Sequence, residues 1–247
     1  MVKPETDNSS RGVILNVSGV LYLVATPIGN FDDITIRALN VLKNVDVIVG
    51  EEFRECRRLL KHYSIEKPIE LINEHNEHGE SEKIIEQMKT GKNVALISDA
   101  GTPVFSDPGR LLVKKCIVNK IKVVPIPGAS SLLPALIVSG FDIDKFVFAG
   151  WLSPKRERRK HELKELIKEK RTIAIMDTPY RLLQLLRDMS EVYDNRRKLC
   201  LAYNLTMDDE EIFYGTAKYL YESLSKRNLK GEFVIVVEGT NEKERKK

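Results

Sequence analysis

Along the first 140 residues, short apolar runs alternate with segments of helical periodicity. No other feature constrains the fold as much. Strands joined by helices enter a largely parallel sheet that is covered on both faces. The runs are Val20-Leu-Tyr-Leu-Val-Ala25, Asp46–Val49, Pro68–Ile72, Val94–Ile97 and Lys122–Ile126. Between them, Asp32 or Asp33 is read as the cap of a helix that turns Ile34, Ala38, Val41, Leu42 and Val45 to one face. Further helices are expected over 51–62, 80–89, 111–118 and 130–138, with Gly91 stopping the second of these four.

Past Gly140 the pattern changes. Phe146–Ala149 and Thr172–Met176 read as strands, with helices over 156–170 and 181–189. Leu199–Tyr203, Glu211–Tyr214 and 232–237 then follow with only one helix, 217–224, among them, so a mixed sheet is expected. The fold class is therefore α/β, with two αβα lobes and a cleft between them. The lobes are assigned to 20–140 and 141–240, with a flexible tail at 1–19 and a solvated tail at 241–247.

Composition limits the function classes. No apolar run approaches the ~20 residues of a membrane span, and the polar N-terminus lacks a signal-peptide core, so a cytoplasmic location is expected. Cys56, Cys116 and Cys200 are far apart and form no C-x-x-C, which suits buried thiols in a reducing compartment. A net charge of +4 permits nucleic-acid binding without requiring it.

Three turns carry the chemistry. The first, Ala25-Thr-Pro-Ile-Gly-Asn-Phe-Asp-Asp33, leads from a strand to a helix N-terminus but lacks the G-x-G-x-x-G of dinucleotide sites. The second, Leu96-Ile-Ser-Asp-Ala-Gly-Thr-Pro-Val-Phe-Ser-Asp-Pro-Gly109, exceeds the usual 2–6 residues of such connections. In the third, Val124-Pro-Ile-Pro-Gly-Ala-Ser-Ser131, Pro125 and Pro127 stop the strand and Ser130 or Ser131 caps the next helix. Each alone is an ordinary joint. Three after strands of one sheet converge at one edge, where small molecules bind.

Other segments are weaker signals. Glu51-Glu-Phe-Arg54 places acids at a helix start. In Asn73-Glu-His-Asn-Glu-His78 a metal site is conceivable, but there is no H-E-x-x-H and no cysteine partner, so no metal is assigned. Pro154–Lys164 is basic at its start; it reads either as a solvated helix face or as a polyanion contact through Lys155–Lys160.

Leu21–Ile34, Ala38-Leu39, Leu96–Gly109, Val123–Ser130, Ser139-Gly140 and Lys230-Gly-Glu-Phe233 together resemble the tetrapyrrole methylase superfamily. Within it they are most similar to the ribosomal RNA small-subunit methyltransferase I branch, which methylates a cytidine ribose 2′-hydroxyl in 16S rRNA. The resemblance spans about 20–239. It implies a class III methyltransferase, usually a homodimer, with S-adenosylmethionine in the cleft and 16S rRNA or the 30S subunit as partner. By position it implies cofactor contacts at Pro27, Gly101, Thr102, Pro103, Phe105, Ser106, Ser130, Ser131, Met176 and Leu205. The candidates for catalysis are Glu52 and Asp99 for proton removal and Arg54 for phosphate positioning. The chain departs from the branch at Glu51–Arg54, at Met176-Asp-Thr-Pro-Tyr-Arg181 and at Ala202-Tyr-Asn-Leu-Thr-Met207. The altered stretch 203–207 is read as lying outside the three-turn pocket. Two other readings stay open: a methylase of a small, tetrapyrrole-like molecule or another RNA, and a non-catalytic cofactor-sensing or RNA-binding protein.

Overall fold

The structure, a computed structural model, describes residues 18–240. The tails expected at 1–19 and 241–247 lie outside the described residues, Ser18 and Gly19 excepted. The first half is a five-stranded sheet of β1 (Val20–Val24), β2 (Val47–Gly50), β3 (Ile69–Leu71), β4 (Val94–Ile97) and β5 (Lys122–Ile126). The order is β3-β2-β4-β1-β5 and every pairing is parallel.

Strand alternation divides this sheet into two apolar faces. Val47, Val49, Val94 and Leu96 face α3 (Glu77–Lys89) and α4 (Arg110–Val118), meeting Ile84, Met88, Leu112 and Cys116. Ile48, Ala95 and Ile97 face α1 (Ile36–Asn44) and α2 (Phe53–His62), meeting Ala38, Leu42, Cys56 and Leu59. Each large side chain taken wholly from water contributes about 1.5–3 kcal/mol before entropy is counted.

The second half holds β6 (Phe146–Gly150), β7 (Thr172–Asp177), β8 (Lys198–Tyr203), β9 (Glu211–Thr216) and β10 (Phe233–Val237), in the order β6-β7-β10-β8-β9. Only β6–β7 is parallel; the other pairings are antiparallel, so the sheet is mixed as expected. One face packs on α6 (Arg156–Leu166), α7 (Leu182–Val192) and α8 (Ala217–Leu224) through Leu163, Leu185, Leu186 and Leu220. The other takes α5 (Leu132–Ser139), whose Leu132, Ala135 and Leu136 lie against Ala174, Cys200, Ala202, Val234 and Val236. Gly140, at φ +69, ends α5 in the left-handed conformation. Thus α5, which precedes Gly140, covers the second sheet.

Several local expectations change. Thr35, not Asp32 or Asp33, caps α1, its side chain accepting from the Ala38 N–H at 3.0 Å. The two aspartates sit in a short 3-10 turn, Phe31–Asp33, where Asn30 accepts from the Asp32 N–H. Pro125 does not stop β5 but lies within it, paired with Leu23; β5 is an edge strand, where proline is tolerated. Ser131 stands at the N-cap of α5 without a capping hydrogen bond from its hydroxyl. Helix α3 begins at Glu77 rather than Glu80, because Asn73 and Asn76 form a turn that starts it early. No helix among the described residues is long and apolar enough to cross a membrane.

Candidate functional site

The three turns follow β1, β4 and β5, which are neighbours in the sheet and run in one direction. Their carboxyl ends therefore meet. The Thr26 N–H donates to the Gly101 carbonyl at 2.9 Å and the Gly101 N–H returns to Thr26 at 3.0 Å. The Thr26 hydroxyl donates to the Ser98 carbonyl at 2.9 Å, and Thr102 reaches the Ala129 carbonyl at 3.4 Å. All three turns are thereby tied into one unit.

The long turn is conformationally loaded. Gly101 has φ +86, while Val104 and Ser106 both have φ +69. A β-branched residue in that region is unusual, and such positions cost about 1–3 kcal/mol each. Asn204 (φ +46) and Thr206 (φ +70), in the loop after β8, carry the same conformation. That loop meets the first turn directly, since the Asn30 N–H donates to the Thr206 hydroxyl at 3.1 Å. A Cβ on Gly29 would lie 2.6 Å from Met207 Cγ, so this approach requires glycine.

Between the two sheets lies a cavity of about 620 Å³, within the 300–1,000 Å³ typical of small-molecule sites. The first sheet contributes Pro27, Ile28, Ser98, Asp99, Gly101, Thr102, Phe105, Ser106, Asp107, Ser130 and Ser131. The second contributes Trp151, Met176, Asp177, Thr178, Pro179, Ala202, Leu205, Met207, Phe233 and Val234. One wall is thus polar and turn-built, and the other is largely apolar.

Charge on the polar wall is negative. Burial raises the Asp99 carboxyl above its ordinary range, reinforced by Glu52, Glu55 and Asp107, although the Glu52 N–H donates to Asp99 Oδ1 at 3.4 Å. Burial also raises Asp107. Glu51 is raised by burial and then by Asp99 and Asp107. Carboxylates held together this way favour a cationic guest, which relieves their mutual repulsion.

Of the residues expected to hold a cofactor, all but Pro103 line the cavity. Pro103 is buried and does not line it. Asp99 lines the cavity, whereas Glu52 and Arg54 are exposed at the start of α2 and do not. The stretch 203–207 is not outside the pocket: Leu205 and Met207 are part of its wall. Asp107, Asp177, Trp151 and Arg58 also line it and were not singled out. Asp107 sat within the long turn, and Trp151, the chain's single tryptophan, directly follows a strand.

The basic run is largely a solvated helix face, with Lys155, Arg156, Arg158 and Lys164 exposed, but it has one buried member. Arg159 is only 2% exposed. Its Nε donates to Asp188 Oδ2 at 2.8 Å, and Nη1 donates to the Ser153 and Pro154 carbonyls at 3.1 Å. Arg156 pairs with Asp188 and Glu191, Lys160 with Glu191 and Arg158 with Glu162. His75 and His78 each lie 3.7 Å from a glutamate, and no cluster of three metal-ligating side chains occurs among the described residues.

Residues 20–221 match the family model for tetrapyrrole (corrin/porphyrin) methylases. The chain is 42% identical over 227 residues to a protein of Synechocystis sp. named ribosomal RNA small subunit methyltransferase I, covering 92% of this chain and 81% of that one. The protein of the same name from Bacillus subtilis is 42% identical over 226 residues, covering 92% and 77%. Among solved structures, uroporphyrin-III-C-methyltransferase from Thermus thermophilus aligns with TM-score 0.64 at 18% identity, covering 89% of this chain and 94% of that one. A cobalt precorrin-4 methyltransferase aligns with TM-score 0.65 at 17% identity, covering 89% and 94%. At such identities the two structures speak to fold alone.

Proposed function

The chain belongs to the tetrapyrrole methylase family, and from that premise we propose that it transfers a methyl group from S-adenosylmethionine to the ribose 2′-hydroxyl of a cytidine in 16S rRNA. The observation that carries this reading is the cavity built at the joined ends of β4, β1 and β5 and closed by an apolar wall from the second sheet. The relatives named ribosomal RNA small subunit methyltransferase I support the acceptor.

The cavity suits that cofactor by character. A methionyl group needs hydrogen-bonding partners, and an adenosine needs apolar sides. We assign the first to the turns bearing Pro27, Gly101, Thr102, Ser106, Ser130 and Ser131, and the second to Met176, Leu205 and Phe105. Asp99 and Asp107 offset the positive charge of a sulfonium. When bound, the cofactor supplies an electrophilic methyl group. The chain contributes alignment, exclusion of water and a proton acceptor.

Asp99 is the acceptor best placed, because it lines the cavity and burial makes its carboxylate a stronger base than a free one. Glu52 steadies it through its backbone N–H, and Arg54 reaches from the exposed helix start toward phosphate. Asp99→Asn should lower the single-turnover rate by about 10²–10⁴-fold. Glu52→Gln, which keeps the N–H, should lower it far less. Equal losses in both variants would remove Asp99 from this role.

We further propose a homodimer working in the cytoplasm. The exposed apolar residues of α5, Leu133 at 58% and Ile137 at 66%, support the dimer. Mapping 16S rRNA methylation by mass spectrometry in cells with and without the protein tests the whole reading. Loss of one ribose-methylated cytidine is expected. An unchanged map would overturn the acceptor, and a changed small-molecule methylation would replace it.

A further inference from the structure

Trp151 lines the cavity and Tyr180 directly follows the lining residue Pro179, and the fold holds both aromatic side chains in water. Trp151 is 54% exposed and Tyr180 is 81% exposed. Neither is there through looseness. Strand β6 ends in a register shift between Phe148 and Gly150, and Gly150 has φ +66. A bulge of this kind re-aims the next side chain. Leu152 then plunges into the core at 5% exposure, so Trp151 is left on the opposite side of the chain.

The loop beyond is clamped. Arg181 Nη2 donates to the Leu152 carbonyl at 2.8 Å and to the Ser153 carbonyl at 2.9 Å, while Arg159 takes the Ser153 and Pro154 carbonyls. Arg181 also pairs with Asp177 Oδ2 at 3.1 Å. Tyr180 is the residue before Arg181, in the 3-10 turn Pro179–Arg181. One guanidinium therefore ties the segment carrying Trp151 to the segment carrying Tyr180. Trp151 and Pro179 both line the cavity.

We propose that Trp151 and Tyr180 form a stacking platform for a nucleobase of the acceptor RNA, placing the adjoining ribose at the cavity. This rests on the RNA reading given above. Exposed aromatic faces on a rigid rim lose little entropy on binding and stack any base. Unpaired RNA bases are commonly held on aromatic side chains, which fixes where the attached ribose lies. Asp99 and Asp107 line the first sheet's side of the cavity, and Lys155, four residues beyond Trp151, is exposed and free to meet a phosphate. The departure at Tyr180 thus acquires a role in holding the acceptor.

Trp151 is the chain's only tryptophan, so its fluorescence reports directly on the platform. The protein is first saturated with S-adenosylhomocysteine, so that any contact with adenine is already made. A short single-stranded RNA is then added, with binding followed independently by anisotropy of a dye on the RNA. The expected results are quenching of Trp151 emission in step with binding, and affinity losses of about 5- to 150-fold for Trp151→Ala and Tyr180→Ala. Trp151→Phe should recover most of the affinity. With 30S subunits, the variants should raise KM more than they lower kcat. Tyr180, being exposed, is replaced without risk to the fold and decides the matter if Trp151→Ala fails to fold. RNA binding with unchanged emission and unchanged affinity in Tyr180→Ala would overturn the platform while leaving the RNA reading intact. Absence of both RNA binding and methylation of 30S subunits would instead overturn the reading beneath it.

Discussion

Arg159 and Asp188 show how a surface-looking basic run becomes architecture. Asp188 is 1% exposed and receives both Arg156 and Arg159. Removing one partner of a buried pair strands the other charge, at a cost of about 3–5 kcal/mol. Asp188→Ala should therefore lower stability by that order in urea unfolding. The Ser153 and Pro154 carbonyls keep Arg159 partly satisfied, so the loss should fall toward the lower bound. Replacing exposed Lys164 by Ala should change little. None of this was legible in the sequence, where Arg159 is one of five cations within six residues and its acidic partner lies on another helix. Burial is a property of which helix face meets the sheet. In so charged a segment, the apolar period that would reveal that face is too weak to read.

At the scale of elements, the strands were legible and the caps were not. β4 and β5 keep the bounds of their apolar runs, and β4, buried at every residue, is the kind of parallel strand that composition alone reveals. Thr35 and Asp33 are equally good caps on paper, and only the 3-10 turn at Phe31–Asp33 decides between them. The long turn after β4 was legible as a site by its length, but its charge balance emerges only from packing. That balance has a pH consequence. A carboxyl whose folded pKa is raised binds more protons folded than unfolded, so stability falls as pH rises through the window above its ordinary value. Asp107→Asn removes one such group and should stabilise the protein at neutral pH. The gain should vanish below the ordinary carboxylate range, as urea unfolding at both pH values will show. Ligand binding should move the other way. As Asp99, Asp107 and Glu51 ionise, affinity for cationic S-adenosylmethionine should climb with pH. For S-adenosylhomocysteine, which lacks the sulfonium charge, it should climb less. Parallel pH profiles for the two in calorimetry would remove the electrostatic role of this wall.

For the whole molecule, the two sheets and the parallel-to-mixed change were legible because loop lengths and helix spacing shift past Gly140. The assignment of α5 to the second sheet was not, since a uniformly apolar helix fits either side. Its outer face bears the assembly prediction. Leu133→Asp combined with Ile137→Asp should convert a dimer to monomers in light scattering without unfolding the chain, both side chains being exposed in the single subunit. A mass unchanged from the parent would place the contact elsewhere. The strand order also bears on how such a chain leaves the ribosome. The first sheet holds all five of its strands once residue 126 has emerged, so it can close early. The second cannot, because β10, the last of its strands to be made, sits in the middle between β7 and β8. Until that strand arrives, β7 and β8 each present an unpaired edge, and the apolar wall of the cavity lacks Phe233 and Val234. A nascent chain halted before residue 233 would carry the three joined turns facing an incomplete wall.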